Sequence, residues 1–155
     1  KEWIPEMIFS NLKAGSNFDD SEQRTVAGTN GVGSTLTNIF SKSFSISTCD
    51  GTNRFEQTFT NNMSKRTTAR VTPAKRGFTE ISFFPDLERF KMKKIDEKSF
   101  QILFKRCLDL VACNNKLTLK LTKINNGEKK DFLLKFLRSF SCTVKVNQNN
   151  NTHYR

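Results

Sequence analysis

The residues best suited to chemistry are Gly28-Thr29-Asn30-Gly31-Val32-Gly33-Ser34-Thr35. Glycines lack a Cβ, so consecutive backbone N–H groups can close around an anion, and a helix starting there adds its positive dipole end. The chemistry is therefore phosphate binding. Two common phosphate loops do not fit. A Walker A loop needs Lys after Gly33, where Ser34 stands, and a dinucleotide fingerprint begun at Gly31 needs a small residue where Leu36 stands. Neither has the apolar strand that should precede it. Asp19, Asp20 and Glu22 lack further oxygen donors and read as solvated or helix-capping rather than metal-binding. Cys49, Cys107, Cys113 and Cys142 form no Cys-x-x-Cys pair, and the one histidine, His153, lies in a polar tail, so no zinc ligand set exists. Ser10, Ser34 and Cys107 have no histidine to activate them, and nucleophilic catalysis is not supported.

The elements that must hold this loop follow from periodicity. Residues 5–13 read as a short helix with Pro5 in its first turn and Gly15 near its end. A polar stretch, Ala14 to Val32, is longer than a turn requires, and such loops are usually functional or mobile. It feeds a second helix on which Leu36, Ile39 and Phe40 recur at helical spacing. Phe44, Ile46 and Thr48 alternate with serines, Asp50-Gly51 turns the chain, and Phe55 and Phe59 share a face of a return strand. Phe78 to Phe84 makes a further strand stopped by Pro85. From Asp96, the residues Phe100, Leu103, Phe104, Cys107, Leu108 and Val111 mark the clearest amphipathic helix. Leu117, Leu119 and Leu121 predict a strand, Asn126-Gly127 a turn, and Phe132, Leu133, Phe136, Leu137 and Phe140 a last helix. The tail around Asn147 to Asn151 looks frayed. The order predicts an α+β fold, with helices layered on a largely antiparallel sheet.

The chain has 155 residues, with 26 Lys+Arg against 15 Asp+Glu for a net charge of +11. Fifteen Phe can supply a core, no apolar run is long enough to cross a membrane, and the N-terminus lacks the apolar region of a signal peptide. Scattered cysteines fit a reduced, intracellular setting. The charge is uneven. Residues 1–41 carry three Lys+Arg and five Asp+Glu, and the remaining 23 and 10 lie in residues 42–155. Two basic runs stand out: Lys65, Arg66, Arg70, Lys75 and Arg76, then Arg89, Lys91, Lys93, Lys94 and Lys98. A charge run is most often a solvated face; its functional version is a track for DNA phosphates.

Four blocks follow one another along the chain: Ile4-Pro5-Glu6-Met7-Ile8-Phe9, Gly15-Ser16-Asn17-Phe18-Asp19-Asp20, Gly28-Thr29-Asn30-Gly31-Val32-Gly33 and Thr37-Asn38-Ile39-Phe40-Ser41. In order and spacing they resemble the type IIA DNA topoisomerases of the GHKL ATPase superfamily. Asn61-Asn62-Met63, Phe83-Phe84-Pro85-Asp86-Leu87 and Phe90-Lys91-Met92 are similar to downstream blocks of the eukaryotic, viral and phage enzymes. The resemblance covers residues 3 to about 138.

It implies a partial GHKL domain over residues 1–138 with its ATP lid at 14–33, and a tail or approach to a transducer domain over 139–155. Gly15, Ser16 and Asn17 are implied to contact the nucleotide, and Gly28, Thr29, Asn30, Gly31, Val32, Gly33, Ser34 and Thr35 to wrap the triphosphate. Thr35 stands where the eukaryotic enzymes commonly carry lysine, and its hydroxyl can donate one hydrogen bond. By the resemblance, the catalytic Glu, a Mg²⁺-holding Asn and an adenine-reading Asp precede the lid, and a phosphate-sensing Lys follows it in the transducer. The chain is therefore expected to be an excerpt, inactive alone, of an enzyme using ATP and Mg²⁺, dimeric, acting on DNA, and sited in the nucleus or at viral replication sites. An isolated half-site is also expected to be poorly soluble. The alternatives are a basic nucleic-acid-binding module whose loop grips backbone phosphates without ATP, or a GHKL ATPase of the mismatch-repair or heat-shock chaperone type.

Overall fold

The computed structural model describes residues 2–19, 21, 23, 28–137 and 141–147. The chain falls into two compact units, Lys1–Lys93 and Lys94–Arg155. Every strand pairing in either unit is antiparallel among the described residues. Both units thus combine helices with antiparallel sheet, as the α+β reading expects.

In the first unit, helix α1 (Ile4–Ser10) is followed by α2 (Gly33–Ile39), β1 (Ser41–Cys49), β2 (Asn53–Thr60), β3 (Lys65–Arg66), β4 (Arg70–Pro73) and β5 (Phe78–Pro85). The sheet order is β3-β2-β1-β5, with β4 also on β2. The hairpin turn forms as its sequence demands: Gly51 takes φ +95°, and Asp50 Oδ1 accepts from the N–H groups of Thr52 and Asn53 at 2.7 and 2.8 Å. These bonds hold the exposed Asp50 carboxyl below its ordinary range.

Period-2 alternation puts Phe44, Ile46, Phe55 and Phe59 on one sheet face, where they form the buried core. Phe9 of α1 covers that face, its ring 5.7 Å from that of Phe44. Ser45 and Thr58 lie on the opposite face and share a 3.0 Å hydrogen bond. β3 and β4, where the basic run pairs with β2, had no apolar alternation to announce them. Pro85 ends β5 opposite Ser41, a position where its missing N–H is tolerated.

The second unit holds α3 (Glu97–Cys113), β6 (Thr118–Asn125), β7 (Glu128–Leu137) and β8 (Ser141–Asn147), with sheet order β6-β7-β8. Asp96 caps α3 by accepting from Ser99 N–H at 2.9 Å. Cys107, Val111, Phe132 and Leu134 form its buried core, and Leu103 lies off that seam, half exposed.

The helix predicted at Phe132–Phe140 is instead strand β7, and Phe140 lies outside the described residues. Asn126 and Gly127 both take positive φ, 49° and 85°, the geometry of a tight hairpin turn that sends the chain back along β6. Phe132 and Leu134 alternate toward α3 while Leu133 is exposed on the other face, so period 2 wins over period 3.6. Asn147 ends β8 rather than opening a frayed tail; residues 148–155, including His153, lie outside the described part.

Candidate glycine-loop site

The site is a neck where two separate glycine segments cross. Gly31 takes φ +60°, and a Cβ built on it stands 2.4 Å from Gly15 N, 3.0 Å from Gly15 Cα and 3.1 Å from Ala14 N. A Cβ on Gly15 would in turn lie 3.2 Å from Gly31 Cα. The 2.4 Å approach and the positive φ require glycine at position 31, and a side chain at position 15 would crowd the same crossing. Beside the crossing, Asn17 Nδ2 donates to Gly28 O at 3.0 Å, so residues 17 and 28 close a loop whose ends are fixed. Glu22 and residues 24–27 within it lie outside the described part, as does Asp20.

Exposed near the neck are Gly15, Ser16, Gly28, Asn30 and Gly33, with Asn17, Thr29, Gly31 and Val32 half-buried. Nothing stands within 4 Å of a Cβ at Gly28 or Gly33, so both face open space. Val32 begins α2 by accepting Leu36 N–H at 2.9 Å, which leaves the first N–H groups of that helix without intrahelical acceptors. On the short connection after Asp19, Ser21 donates to Asp19 Oδ1 through its hydroxyl and its N–H, at 2.6 and 2.9 Å, holding that carboxyl below its usual range.

Two residues expected at the phosphates have their hydroxyls elsewhere. Ser34 Oγ donates to Ile8 O at 3.0 Å, and Thr35 Oγ1 donates to Asn11 O at 2.9 Å with Thr35 fully buried. The hydroxyl of Thr35 satisfies a carbonyl at the end of α1. Asn38, also fully buried, donates to Phe9 O at 3.0 Å. The expected apolar face of α2 is likewise corrected, since Leu36 is exposed while Thr35 and Asn38 pack inward. Carbonyls at the end of α1 need donors, and polar side chains on α2 supply them. Asn38 was missed as a structural residue because a lone Asn in a helix carries no signal of its partner.

Of the first basic run, Lys65, Arg66, Arg70, Lys75 and Arg76 are all exposed. Arg66 Nη1 is paired with Glu6 Oε1 at 2.9 Å and serves α1. In the second run, Arg89 Nε lies 3.4 Å from Asp86 and its guanidinium sits over the Phe40 ring; Lys93 and Lys94 fall on opposite sides of the unit boundary. No cluster of three or more His, Cys, Asp or Glu able to hold a metal occurs among the described residues. No described helix is long and apolar enough to cross a membrane.

No family model matches the chain. It is 40% identical over 136 residues to the mitochondrial DNA topoisomerase 2 of Dictyostelium discoideum, covering 84% of this chain and 10% of that protein. It is 41% identical over 120 residues to the DNA topoisomerase 2 of Pisum sativum, covering 75% and 8%. The solved ATPase and transducer domains of DNA topoisomerase II from Balamuthia mandrillaris superpose with a TM-score of 0.70 at 30% identity, over 86% of this chain and 41% of that one. The chain belongs with the ATPase region of type II DNA topoisomerases. Its fold is part of the GHKL architecture, and it spans a tenth or less of these curated relatives. Neither the mismatch-repair nor the chaperone alternative is favoured by these likenesses, nor is a basic module outside the superfamily.

Proposed function

We propose that this chain carries the ATP lid of an ATP-dependent type II DNA topoisomerase, coupling nucleotide binding and hydrolysis to passage of one duplex through another. The observation that supports it best is the crossing of Gly15 and Gly31: two segments that resemble separate nucleotide-binding blocks lie backbone against backbone. The groups suited to a polyphosphate are the main-chain N–H donors of residues 28–35 and the exposed side chains of Ser16 and Asn30. Positioning and electrostatic stabilisation dominate phosphoryl transfer, and this segment supplies positioning. On this reading the lid closes when the γ-phosphate is present and couples ATP binding to closure of the ATPase dimer. Mg²⁺ and the residues that hold it belong, on this reading, to sequence preceding the lid.

In the complete ATPase domain, a non-hydrolysable ATP analogue is expected to protect Ala14 to Gly33 from limited proteolysis. Equal cleavage with and without the analogue, read by mass spectrometry of the fragments, overturns the lid assignment.

We also propose the wider family properties: a dimeric parent, DNA as substrate, and an intracellular location in the nucleus or at a viral replication site. We place the end of the GHKL portion at the division after Lys93, with the second unit leading into the transducer. DNA contact is assigned to Lys65, Arg70, Lys75 and Arg76, with Arg66 contributing less because Glu6 already neutralises it. Reversing Lys65, Arg70 and Arg76 to Glu in the full-length protein should lower the slope of log affinity against log salt by about 3, close to one per lost phosphate contact. An unchanged slope removes these residues from the interface.

A further inference from the structure

Helix α2 has seven residues, too few to be stable alone, so its orientation is set by what grips its two ends. Along one side it hangs on α1 through Ser34 and Thr35 in its first turn and Asn38 near its end. At the C-terminal end the helix exposes carbonyls that need donors. Ser41 Oγ donates to Thr37 O at 2.6 Å, Asn62 Nδ2 to Ile39 O at 3.1 Å, and Asp86 N–H to Phe40 O at 2.8 Å. The amide of Asn62 also donates to Asp86 Oδ2 at 3.0 Å. Asp86 is buried, and Lys42 and Arg89 stand at its rim, 4.0 and 3.4 Å from its carboxylate oxygens.

The backbone is bent to make this arrangement. Asn61, Asn62 and Met63 take φ 53°, 56° and 66°, three successive non-glycine residues in the left-handed region. Asn tolerates that region and Met does not, and a run of three is rare. Its first two residues are held by Asn61 N–H on Lys42 O at 3.0 Å and Asn62 N–H on Ser41 O at 3.1 Å. Strain of this kind persists only where the surroundings enforce it, and it marks functional positions more often than ordinary turns. Asn61-Asn62-Met63 and Pro85-Asp86-Leu87 are blocks whose sequence offered no role; in the fold they meet at the end of the lid helix.

We propose that Asn62 and Asp86 are positioning residues that clamp the C-terminal end of α2, so that the glycine loop entering its other end is presented in one orientation. Asp86 also opens the 3-10 turn Leu87–Phe90, after which the first unit ends at Lys93, so the clamp joins the lid helix to the segment by which the chain leaves the unit. The inference rests on the nucleotide reading above for its consequence, though the clamp itself can be tested without nucleotide.

The test uses the full-length protein and two variants, Asn62→Ala and the isosteric Asn62→Asp. Hydrogen exchange without nucleotide comes first. Both variants should speed exchange across Leu36–Phe40 while the amides of β1 and β2 keep their wild-type protection; unchanged exchange in α2 overturns the clamp. Binding of a non-hydrolysable ATP analogue follows. Loss of the bonds to Ile39 O and Asp86 should weaken it about tenfold, the worth of about two net hydrogen bonds, with kcat at saturating ATP retained. Faster exchange with unweakened binding overturns the positioning role. If the wild type binds no analogue, the nucleotide reading falls, and the exchange arm alone decides the clamp. The exchanged pair Asn62→Asp with Asp86→Asn separates pair from clamp: it restores the side-chain bond but sets a carboxylate against Ile39 O, so restored α2 protection also counts against the proposal.

Discussion

Replacing Gly31 with alanine in the full-length protein is expected to abolish nucleotide-dependent protection of the lid. Two costs add. Alanine at φ +60° pays the left-handed penalty of about 1–2 kcal/mol. Its Cβ also falls 2.4 Å from a main-chain nitrogen, and a backbone cannot swing aside as a flexible side chain can; overpacking of this kind costs about 1–3 kcal/mol or more. The chain will relieve both by parting the neck between residues 14–15 and 31. The damage is therefore capped at the free energy of that local opening, and the sheet core should melt almost as before. The comparison that isolates the effect is Gly33→Ala. A Cβ there meets nothing within 4 Å, and alanine is the better helix former by about 1 kcal/mol, so Gly33→Ala should leave α2 as stable or more so. If proteolysis with and without an ATP analogue cannot tell Gly31→Ala from Gly33→Ala, the neck is not what closes the lid.

The contrast between these glycines shows how much of the site could be read from the chain. Glycine spacing located the loop, because phosphate binding demands backbone without side chains, and the flanking blocks supplied the family. Spacing does not reveal that Gly31 is held by Gly15, sixteen positions earlier, whereas Gly28 and Gly33 face open space. Strands β1 and β2 of the first unit are legible through period 2, since one face is buried and the other wet. The last helix was misread because Phe132, Phe136 and Phe140 satisfy a four-residue spacing and an alternating one equally; only pairing with β6 separates them. Thr35 is implied at the triphosphate by the resemblance alone. Its hydroxyl went to Asn11 O because a carbonyl at the end of a helix is a nearer demand than a ligand. Asn62 and Asp86 carried no readable role, since their bonds join residues 23 and 24 positions apart.

Phe44→Ala is expected to be the most destabilising single change in the first unit. Phe44 is 1% exposed at the centre of the sheet, beside Phe59 on β2 and stacked with Phe83 on β5 at 6.3 Å. Truncating a buried Phe costs about 3–5 kcal/mol, a large share of the roughly 5–15 kcal/mol that holds a typical domain folded. Its effect should also reach the lid. Phe9 rests on Phe44, and the end of α1 that carries Phe9 offers the carbonyls of Ile8, Phe9 and Asn11 to Ser34, Thr35 and Asn38. A cavity under Phe9 loosens α1, and α2 loses the surface it hangs from. The control is Phe84→Ala: Phe84 points from the opposite face and is 71% exposed, so its removal should cost less than about 0.5 kcal/mol. Unfolding free energies of the two variants from denaturant titration, with hydrogen exchange at Leu36–Phe40, should separate them by about 3 kcal/mol or more and by loss of α2 protection in Phe44→Ala alone. Similar free energies would show that α1 is not seated on the sheet through this residue, and the lid would then need another anchor.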